Sequence, residues 1–531
     1  MIKLSNTELM HVSPEEVGVD SNKINMFLKE ICDKKLGLHS FTIVRHDKIC
    51  SQGFFEPFSA EYPHVLYSMS KSVTSTAIGF AIDDGLVNLD DKVSSFFPEY
   101  PTAKLPFNSH LTIEMLLTMR SDKFITVADL KNHTDWVANF FNATYLYPPN
   151  TKFNYISENT FMLSAIITKV TGKSMLDYLD EKMFKPLGIE KPYWEHNDKN
   201  MNAGGWGLYM KSEDLAKFFL PYIHEGKWID GTQLIPKFWV KEALSKKTET
   251  VHDGALDIIN GYGYQFWKNR GGANSFRADG LFGQRCFLFP EYDALVVLNC
   301  GEAEDYKIMD IFWKYFPECF YNDEIPQNKK SYNELVHTIN NLSTEKLPKS
   351  SRNYDYEKDI ENLTIKCKTN DFTSLITVTI TNMLYNRPGK ISSMKFNFKE
   401  NSLLFTWEEK GNINTIEAGF DGDFRKSKIK LNDLEYHTFS QAYWVNSNTL
   451  QLWIRPIETA HIRKYTFRFN SDATVEIDND MTPHFDDLTV YYFNFLGMPL
   501  KTNTGKDTVR DVVKNTVMKM VEPKIHGKFE A

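Results

Sequence analysis

Residues 64–85 read HVLYSMSKSVTSTAIGFAIDDG. From Val73 onward this is a helical pattern with small or apolar residues on most sides, including Ala77, Ile78, Phe80, Ala81 and Ile82, so other elements must wrap most of its circumference. Yet Lys71 stands in the first turn between Ser70 and Ser72, and an amine buried there loses hydration without an obvious return. Ser68 and Lys71 are three residues apart, which on a helix brings them to one face with β-carbons roughly 5–6 Å apart. A serine hydroxyl is a poor nucleophile until a base takes its proton. A lysine can be that base when burial lowers its pKa from about 10.4 and leaves it neutral. The backbone N–H groups of a helix N-terminus are also placed to stabilise an oxyanion. The pair therefore suits acyl transfer. The same S-x-x-K spacing recurs at Ser343–Lys346, Ser392–Lys395 and Ser427–Lys430, but none of these heads an apolar helix, and they read as chance.

The 531 residues exceed one small core and predict two or three domains. A net charge of −8 argues against a nucleic-acid partner. No apolar run approaches the roughly 20 residues of a membrane span, and the first twenty residues lack an apolar core followed by a small-residue cleavage site. The expectation is a cytoplasmic protein with no membrane span. Cys32, Cys50, Cys286, Cys300, Cys319 and Cys367 are scattered without CxxC spacing, and no HExxH or HxH occurs, so reduced core thiols and neither metal nor cofactor are expected.

SNKINMFLKEICDK, near 22–35, reads as a first helix, and SFTIVRHDKICSQGFF as a hairpin broken at Arg45-His46-Asp47-Lys48. Helical signals dominate 110–245, with Gly172 as a C-terminal stop. Strands return at GYGYQFW and at RCFLFPEYDALVVLNC around Pro290–Asp293. Strands at both ends of a segment with helices between predict an α+β domain, an antiparallel sheet flanked by helices with an inserted helical lobe, over 1–320. Residues 321–355 are polar and read as a linker carrying one helix near Tyr332–Asn341. Residues 356–531 alternate as strands (LITVTITNML, SMKFNFKENSLLFTW, NTLQLWIRPIE, KYTFRFNSDATVEID, LTVYYFNF), predicting a mostly antiparallel sandwich or barrel closed by a tail helix, DTVRDVVKNTVMKMV. Trp407, Tyr443, Trp444 and Trp453 are either sheet core or the lining of a ligand groove.

Several ordered blocks within about 12–315 resemble the serine β-lactamase-like hydrolases: class C β-lactamases, DD-peptidases, class VIII esterases and 6-aminohexanoate-dimer hydrolase. They are YSMSKSVTSTAIGFAIDDGLVNLDDKVSSFFPEY, LTIEMLLTMRSD, FNYISENTFMLSAIITKVTGKSMLDYLDEKMFKPLGI, AGGWGLYMKSEDLAKFFLPYIHEGKWIDGTQLIPKFWV and ADGLFGQRCFLFPEYDALVVLNC. The resemblance implies a β-lactamase/transpeptidase-like fold, Ser68 as nucleophile, Lys71 as base, and Tyr155 as the tyrosine of the family's Y-x-N motif. It also implies an oxyanion hole from the backbone N–H groups of Ser68 and Leu281, and a pocket that includes Ser157, Asp279, Gly280, Gly283 and Gln284.

The chain departs from the family pattern. Asp122 replaces a usual glycine. Ser157 stands where Y-x-N has Asn, so its hydroxyl is either a site hydrogen-bond donor or a helix N-cap. The K-T-G strand is Ala278-Asp279-Gly280, which lacks the cation that receives a carboxylate, unless Arg277 or Arg285 compensates. Gly280-Leu-Phe-Gly283-Gln284 resembles the amide- and ester-cleaving branch, with glycines that permit close backbone approach to a ligand, though Gly283 by itself reads equally as a tight turn before a core strand. The leading expectation is a hydrolase that cleaves a small-molecule amide or ester and acts weakly on β-lactams. The alternatives are a catalytically silent acyl-ligand-binding protein or scaffold on the same fold, and a β-lactamase or DD-peptidase. The C-terminal domain is expected either to cap the active-site cleft or to mediate a homo-oligomer.

Overall fold

The computed structural model describes residues 4–124, 135–250, 257–270, 274–371, 373–375, 389–431, 434–484 and 523–530. The expected strand LITVTITNML beyond its first residue, the strand LTVYYFNF and the tail helix lie outside the described residues. The chain forms two compact units. One comprises Met1–Phe55, Ser59–Cys300 and Glu304–Leu342, the other Glu56–Phe58, Gly301–Ala303 and Ser343–Ala531.

The first unit has strands β1 (Met10–His11), β2 (Leu38–Arg45), β3 (Lys48–Phe54), β4 (His64–Val65), β5 (Tyr193–Trp194), β6 (Leu208–Met210), β7 (Trp267–Lys268), β8 (Phe276–Gly280), β9 (Gln284–Phe289) and β10 (Ala294–Cys300). Seven of them form one sheet in the order β1-β3-β2-β10-β9-β8-β7, while β4, β6 and β5 form a small second sheet. The large sheet is antiparallel except where β1 runs parallel to β3. Its helices are α1 (Ser21–Asp33), α2 (Ser70–Asp83), α3 (Pro106–His110), α4 (Ile113–Leu117), α5 (Trp136–Asn142), α6 (Ser157–Thr171), α7 (Met175–Leu179), α8 (Ser212–Ile223), α9 (Lys237–Ala243), α10 (Tyr306–Tyr315) and α11 (Lys329–Asn340).

Local chemistry accounts for the turns. The β2–β3 hairpin closes through His46 and Asp47, both at positive φ (47° and 63°), the geometry of a two-residue turn that matches strand twist. Helix α6 stops at Gly172, φ 69°. GYGYQFW is less of a strand than its alternation suggests: pairing along β7 is confined to Trp267–Lys268, because Gly261 and Gln265 take positive φ and turn the chain.

The core of this unit lies between the sheet and α1, α10 and α11, where Phe27, Phe312 and Leu335 meet Phe287, Phe289 and Val296. Helix α8 crosses β2, β9 and β10. The stretch 321–355, read as a connector, thus contributes α11 to this core through Leu335, and Thr338 donates to Asn25 of α1 at 2.7 Å. The buried α2 packs against α6, α7 and α9, which places its N-terminal turn beside the end of β8.

The second unit holds α12 (Tyr354–Ile360) and strands β11 (Thr364–Cys367), β12 (Ile391–Phe398), β13 (Ser402–Glu409), β14 (Asn412–Gly419), β15 (Arg425–Leu431), β16 (Leu434–Asn446), β17 (Thr449–Pro456), β18 (Ile462–Phe469), β19 (Thr474–Thr482) and β20 (Ile525–Glu530). A pairing of Gly419 with Gln441 joins β14 to β16 and closes nine strands into a barrel, leaving β15 paired outside the ring. Strand β20 inserts between β11 and β19. Phe396, Phe405 and Phe467 fill the interior. Trp407 and Trp444 are buried, so these two are core, while Tyr443 and Trp453 are half-buried. The chance S-x-x-K copies at Ser392 and Ser427 fall on β12 and β15, where i and i+3 point to opposite faces.

Candidate active site

Ser68 lies in the 3-10 turn Tyr67–Met69, which runs directly into α2. Tyr67 takes φ 46°, a left-handed conformation that costs a bulky residue on the order of 1–2 kcal/mol and turns the chain sharply from β4 into the helix. Upstream, His64 Nδ1 bonds to the Val65 carbonyl at 2.9 Å, and its Nε2 lies 3.0 Å from Nδ1 of His39. The carbonyl requires the proton on His64 Nδ1, so His64 Nε2 accepts from His39. Burial lowers the His64 pKa to about 4, against the bond to the Val65 carbonyl, so the His64 ring is neutral here.

The small residues of α2 are fastened by hydroxyls rather than by apolar contact alone. Ser72 Oγ donates to Gln265 O at 2.6 Å, Thr74 Oγ1 to Gly204 O at 2.8 Å and Ser75 Oγ to Tyr264 O at 2.7 Å. Ser70 Oγ accepts from Leu208 N–H at 3.3 Å.

Lys71 is 1% exposed. Its Nζ lies 2.8 Å from Ser68 Oγ, 3.0 Å from Ser157 Oγ and 2.7 Å from the Gly205 carbonyl, and 4.9 Å from the centre of the Tyr155 ring. Burial pulls its pKa from 10.5 to about 7, against a smaller opposing pull from the Glu158 charge. Ser157 is the first residue of α6, with Ile156 as the cap. Its hydroxyl therefore turns to Lys71 and does not cap the helix. Tyr155 packs in an aromatic cluster with Phe153, Tyr262 and Trp267. Asp122 accounts for its own departure: at φ 59° it occupies a left-handed position that favours glycine. Its Oδ2 accepts from Thr151 N–H at 3.0 Å and Lys152 N–H at 3.2 Å, anchoring the loop that leads to Tyr155.

The third motif differs from its sequence reading. A β-carbon on Gly280 would lie 2.2 Å from the Leu66 carbonyl and 3.1 Å from Met69 N. Glycine is required there to seat β8 against the Ser68 turn, and Leu281 follows at the start of the next turn. Gly283, at φ 92°, faces Cys300, with a β-carbon meeting it at 2.9 Å. Both close approaches are thus to neighbouring protein atoms. Gln284 is fully buried. It donates to Cys300 O at 2.6 Å and Leu281 O at 3.2 Å, and accepts from Cys300 N–H at 3.2 Å and Asn299 Nδ2 at 3.3 Å. All four of its hydrogen-bonding positions are used inside the protein, so it braces the Leu281 turn and does not line a pocket.

The arginines expected to compensate for Ala278 are buried and engaged. Arg277 Nε meets Asp279 Oδ2 at 2.5 Å, Arg285 Nε approaches the same oxygen at 3.5 Å, and Arg285 Nη2 meets Asp305 Oδ2 at 2.8 Å. Arg277 also donates to Asp257 O at 2.7 Å and Asn269 Oδ1 at 3.2 Å. Burial raises the Asp305 pKa to about 6, with Arg285 opposing. Two guanidiniums and two carboxyls thus form a closed lattice in which Asp279 is a counter-ion to arginine.

The Gly205 carbonyl was missed by sequence reasoning, since a backbone acceptor carries no side-chain signature. The one available signal was the Gly204-Gly205 doublet. A β-carbon on Gly205 would lie 2.6 Å from Ser157 O, and one on Gly204 2.7 Å from Thr160 O, so both glycines let this turn press against α6. Among the described residues no group of three or more His, Cys, Asp or Glu is arranged to hold a metal, and no helix is long and apolar enough to cross a membrane.

A serine and a buried lysine at the head of a central helix, beside the edge of a mostly antiparallel sheet, define the class of β-lactamase-fold serine hydrolases. The chain belongs to the beta-lactamase family, whose model matches residues 39–305. It is similar to 6-aminohexanoate-dimer hydrolase of Paenarthrobacter ureafaciens, at 21% identity over 280 residues, covering 49% of this chain and 71% of that protein. It is also similar to lovastatin esterase of Penicillium rubens, at 24% identity over 200 residues, covering 33% of this chain and 50% of that protein. Among solved structures, the octameric penicillin-binding protein homologue from Pyrococcus abyssi matches with a TM-score of 0.47 and 15% identity, over 86% of this chain and 98% of that one.

Proposed function

We propose that the protein is a serine hydrolase that cleaves an ester or amide through an acyl-enzyme on Ser68. The observation that carries this reading is the Lys71 amine, buried and 2.8 Å from Ser68 Oγ. A neutral amine has two N–H donors and one lone pair. The Gly205 carbonyl takes one N–H and Ser157 Oγ the other, leaving the lone pair to accept the Ser68 proton. Oγ then attacks the carbonyl carbon, and the oxyanion forms between the N–H groups of Ser68 and Leu281. Tyr155 passes a proton to the leaving group, and water hydrolyses the acyl-enzyme. The closed arginine–aspartate lattice supports a substrate whose acyl portion carries no carboxylate, and hence poor turnover of β-lactams.

Ser68→Ala tests this. Turnover of p-nitrophenyl esters should fall more than about a thousandfold, and labelling by a fluorophosphonate probe should vanish. Labelling that persists refutes the nucleophile. Wild-type protein that turns over no ester or amide points instead to a silent acyl-ligand-binding protein. Cleavage of a chromogenic cephalosporin as fast as of a neutral ester refutes the substrate class.

A further inference from the structure

Whatever fixes the Gly205 carbonyl also fixes the Lys71 amine that it receives at 2.7 Å. Gly205 lies in the turn 203–207 that closes the β5–β6 hairpin. Glu195, immediately after β5, ties this turn down at several points. Its N–H donates to Gly207 O at 2.9 Å and its carbonyl accepts from Ala203 N–H at 2.7 Å. Its side chain folds over Gly207, where a β-carbon would lie 2.6–2.8 Å from Glu195 Cβ, Cγ and Cδ. The Trp206 indole donates to Glu195 Oε2 at 3.1 Å, while the Trp194 indole donates to Trp206 O at 2.8 Å.

We propose that Glu195 is a positioning residue that locks the 203–207 turn so that the Gly205 carbonyl meets the Lys71 amine. The inference rests on the reading of Lys71 as the base.

Burial raises the Glu195 pKa from 4.5 to about 8, and the Trp206 indole opposes this in part. The ionisable groups around it are engaged elsewhere. On its own hairpin, His196 Nδ1 turns to Asn197 O at 2.9 Å and Lys199 pairs with Asp135 at 2.8 Å. Helix α2 presents Thr74 to the turn, and α6 presents Ser157, Thr160 and Ser164. The Glu158 carboxylate of α6 acts on Lys71. None of these lends charge stabilisation to Glu195. An ionised Glu195 would therefore be poorly solvated in place, and its escape toward water would pull the turn, and the Gly205 carbonyl with it, away from Lys71.

The test is kcat and kcat/KM for a p-nitrophenyl ester across neutral to alkaline pH, corrected with Ser68→Ala. Wild-type kcat/KM should fall about fivefold between pH 8 and pH 9 as Glu195 ionises. Glu195→Ala should lower kcat about tenfold or more at neutral pH with little change in KM. Glu195→Gln should restore most of that loss and abolish the alkaline fall. A Glu195→Gln enzyme that keeps the wild-type alkaline fall overturns the proposal. If that variant does not fold, Trp206→Phe removes the donor that favours ionisation, and the fall should move to higher pH; a fall that stays in place overturns the proposal equally. Activity that survives Lys71→Ala refutes the base itself. Lys71-dependent activity with an unmoved alkaline fall in Glu195→Gln refutes the Glu195 inference alone.

Discussion

Replacing Lys71 with methionine should abolish activity and yet make the protein more stable at neutral pH. The folded state lowers the Lys71 pKa from 10.5 to about 7, and each unit is worth about 1.4 kcal/mol. Keeping this amine inside therefore costs the fold about 5 kcal/mol at pH 7 and below. The unfolded chain binds the extra proton between pH 7 and 10.5, so stability rises with pH through that window and the cost disappears above it. Methionine removes the cost while roughly preserving volume. It also strips the Gly205 carbonyl of its donor, a loss of about 1–3 kcal/mol. The net expectation is a gain of roughly 2–4 kcal/mol at pH 7 that shrinks to nothing or changes sign by about pH 10. Urea denaturation followed by tryptophan fluorescence at the two pH values measures it. A variant less stable than wild type at pH 7, or a difference that does not change with pH, would show that the amine is not held neutral by burial.

Two further substitutions probe the walls of the site. Asp279→Asn leaves Arg277 and Arg285 buried with one carboxylate fewer, and should destabilise the first unit by about 3–5 kcal/mol in urea titrations; a loss below about 1 kcal/mol would mean that the lattice is not closed. Gly205→Ala places a β-carbon 2.6 Å from Ser157 O. It should shift the carbonyl that receives Lys71 and lower kcat about 10- to 100-fold with little change in KM; an unaffected kcat would show that the Gly205 carbonyl does not position the Lys71 amine.

The proximity of Ser68 and Lys71 was legible because a helical repeat sets it over three residues. Tyr155 and Ser157 became legible through the family's tyrosine motif, since nothing local ties them to residue 71. The arginine–aspartate lattice was hidden for a different reason. Arginine in a sequence reads as surface, and the decisive fact is the pairing of Asp279 with Arg285 across the β8–β9 turn, which the short loop 281–283 could have signalled. Gln284 was misplaced because a polar residue beside a motif looks like a ligand contact, whereas here its amide satisfies backbone groups. In the second unit, alternation along the chain marked strands such as β12, β13 and β18. Closure into a barrel depends on Gly419 meeting Gln441, and that information is not held in either strand alone.

The hydroxyl fastenings of α2 have a consequence for how the molecule tolerates change. Oil-like packing lets a rod of small side chains creep or swivel by degrees, because dispersion has no preferred direction. Here Ser70, Ser72, Thr74 and Ser75 each engage a separate backbone group, so a swivel of one residue step, about 100°, would unlatch all four together. The rod is indexed like a key in a lock, with one angular setting, and drift elsewhere in the sequence can proceed without rotating the nucleophile out of aim.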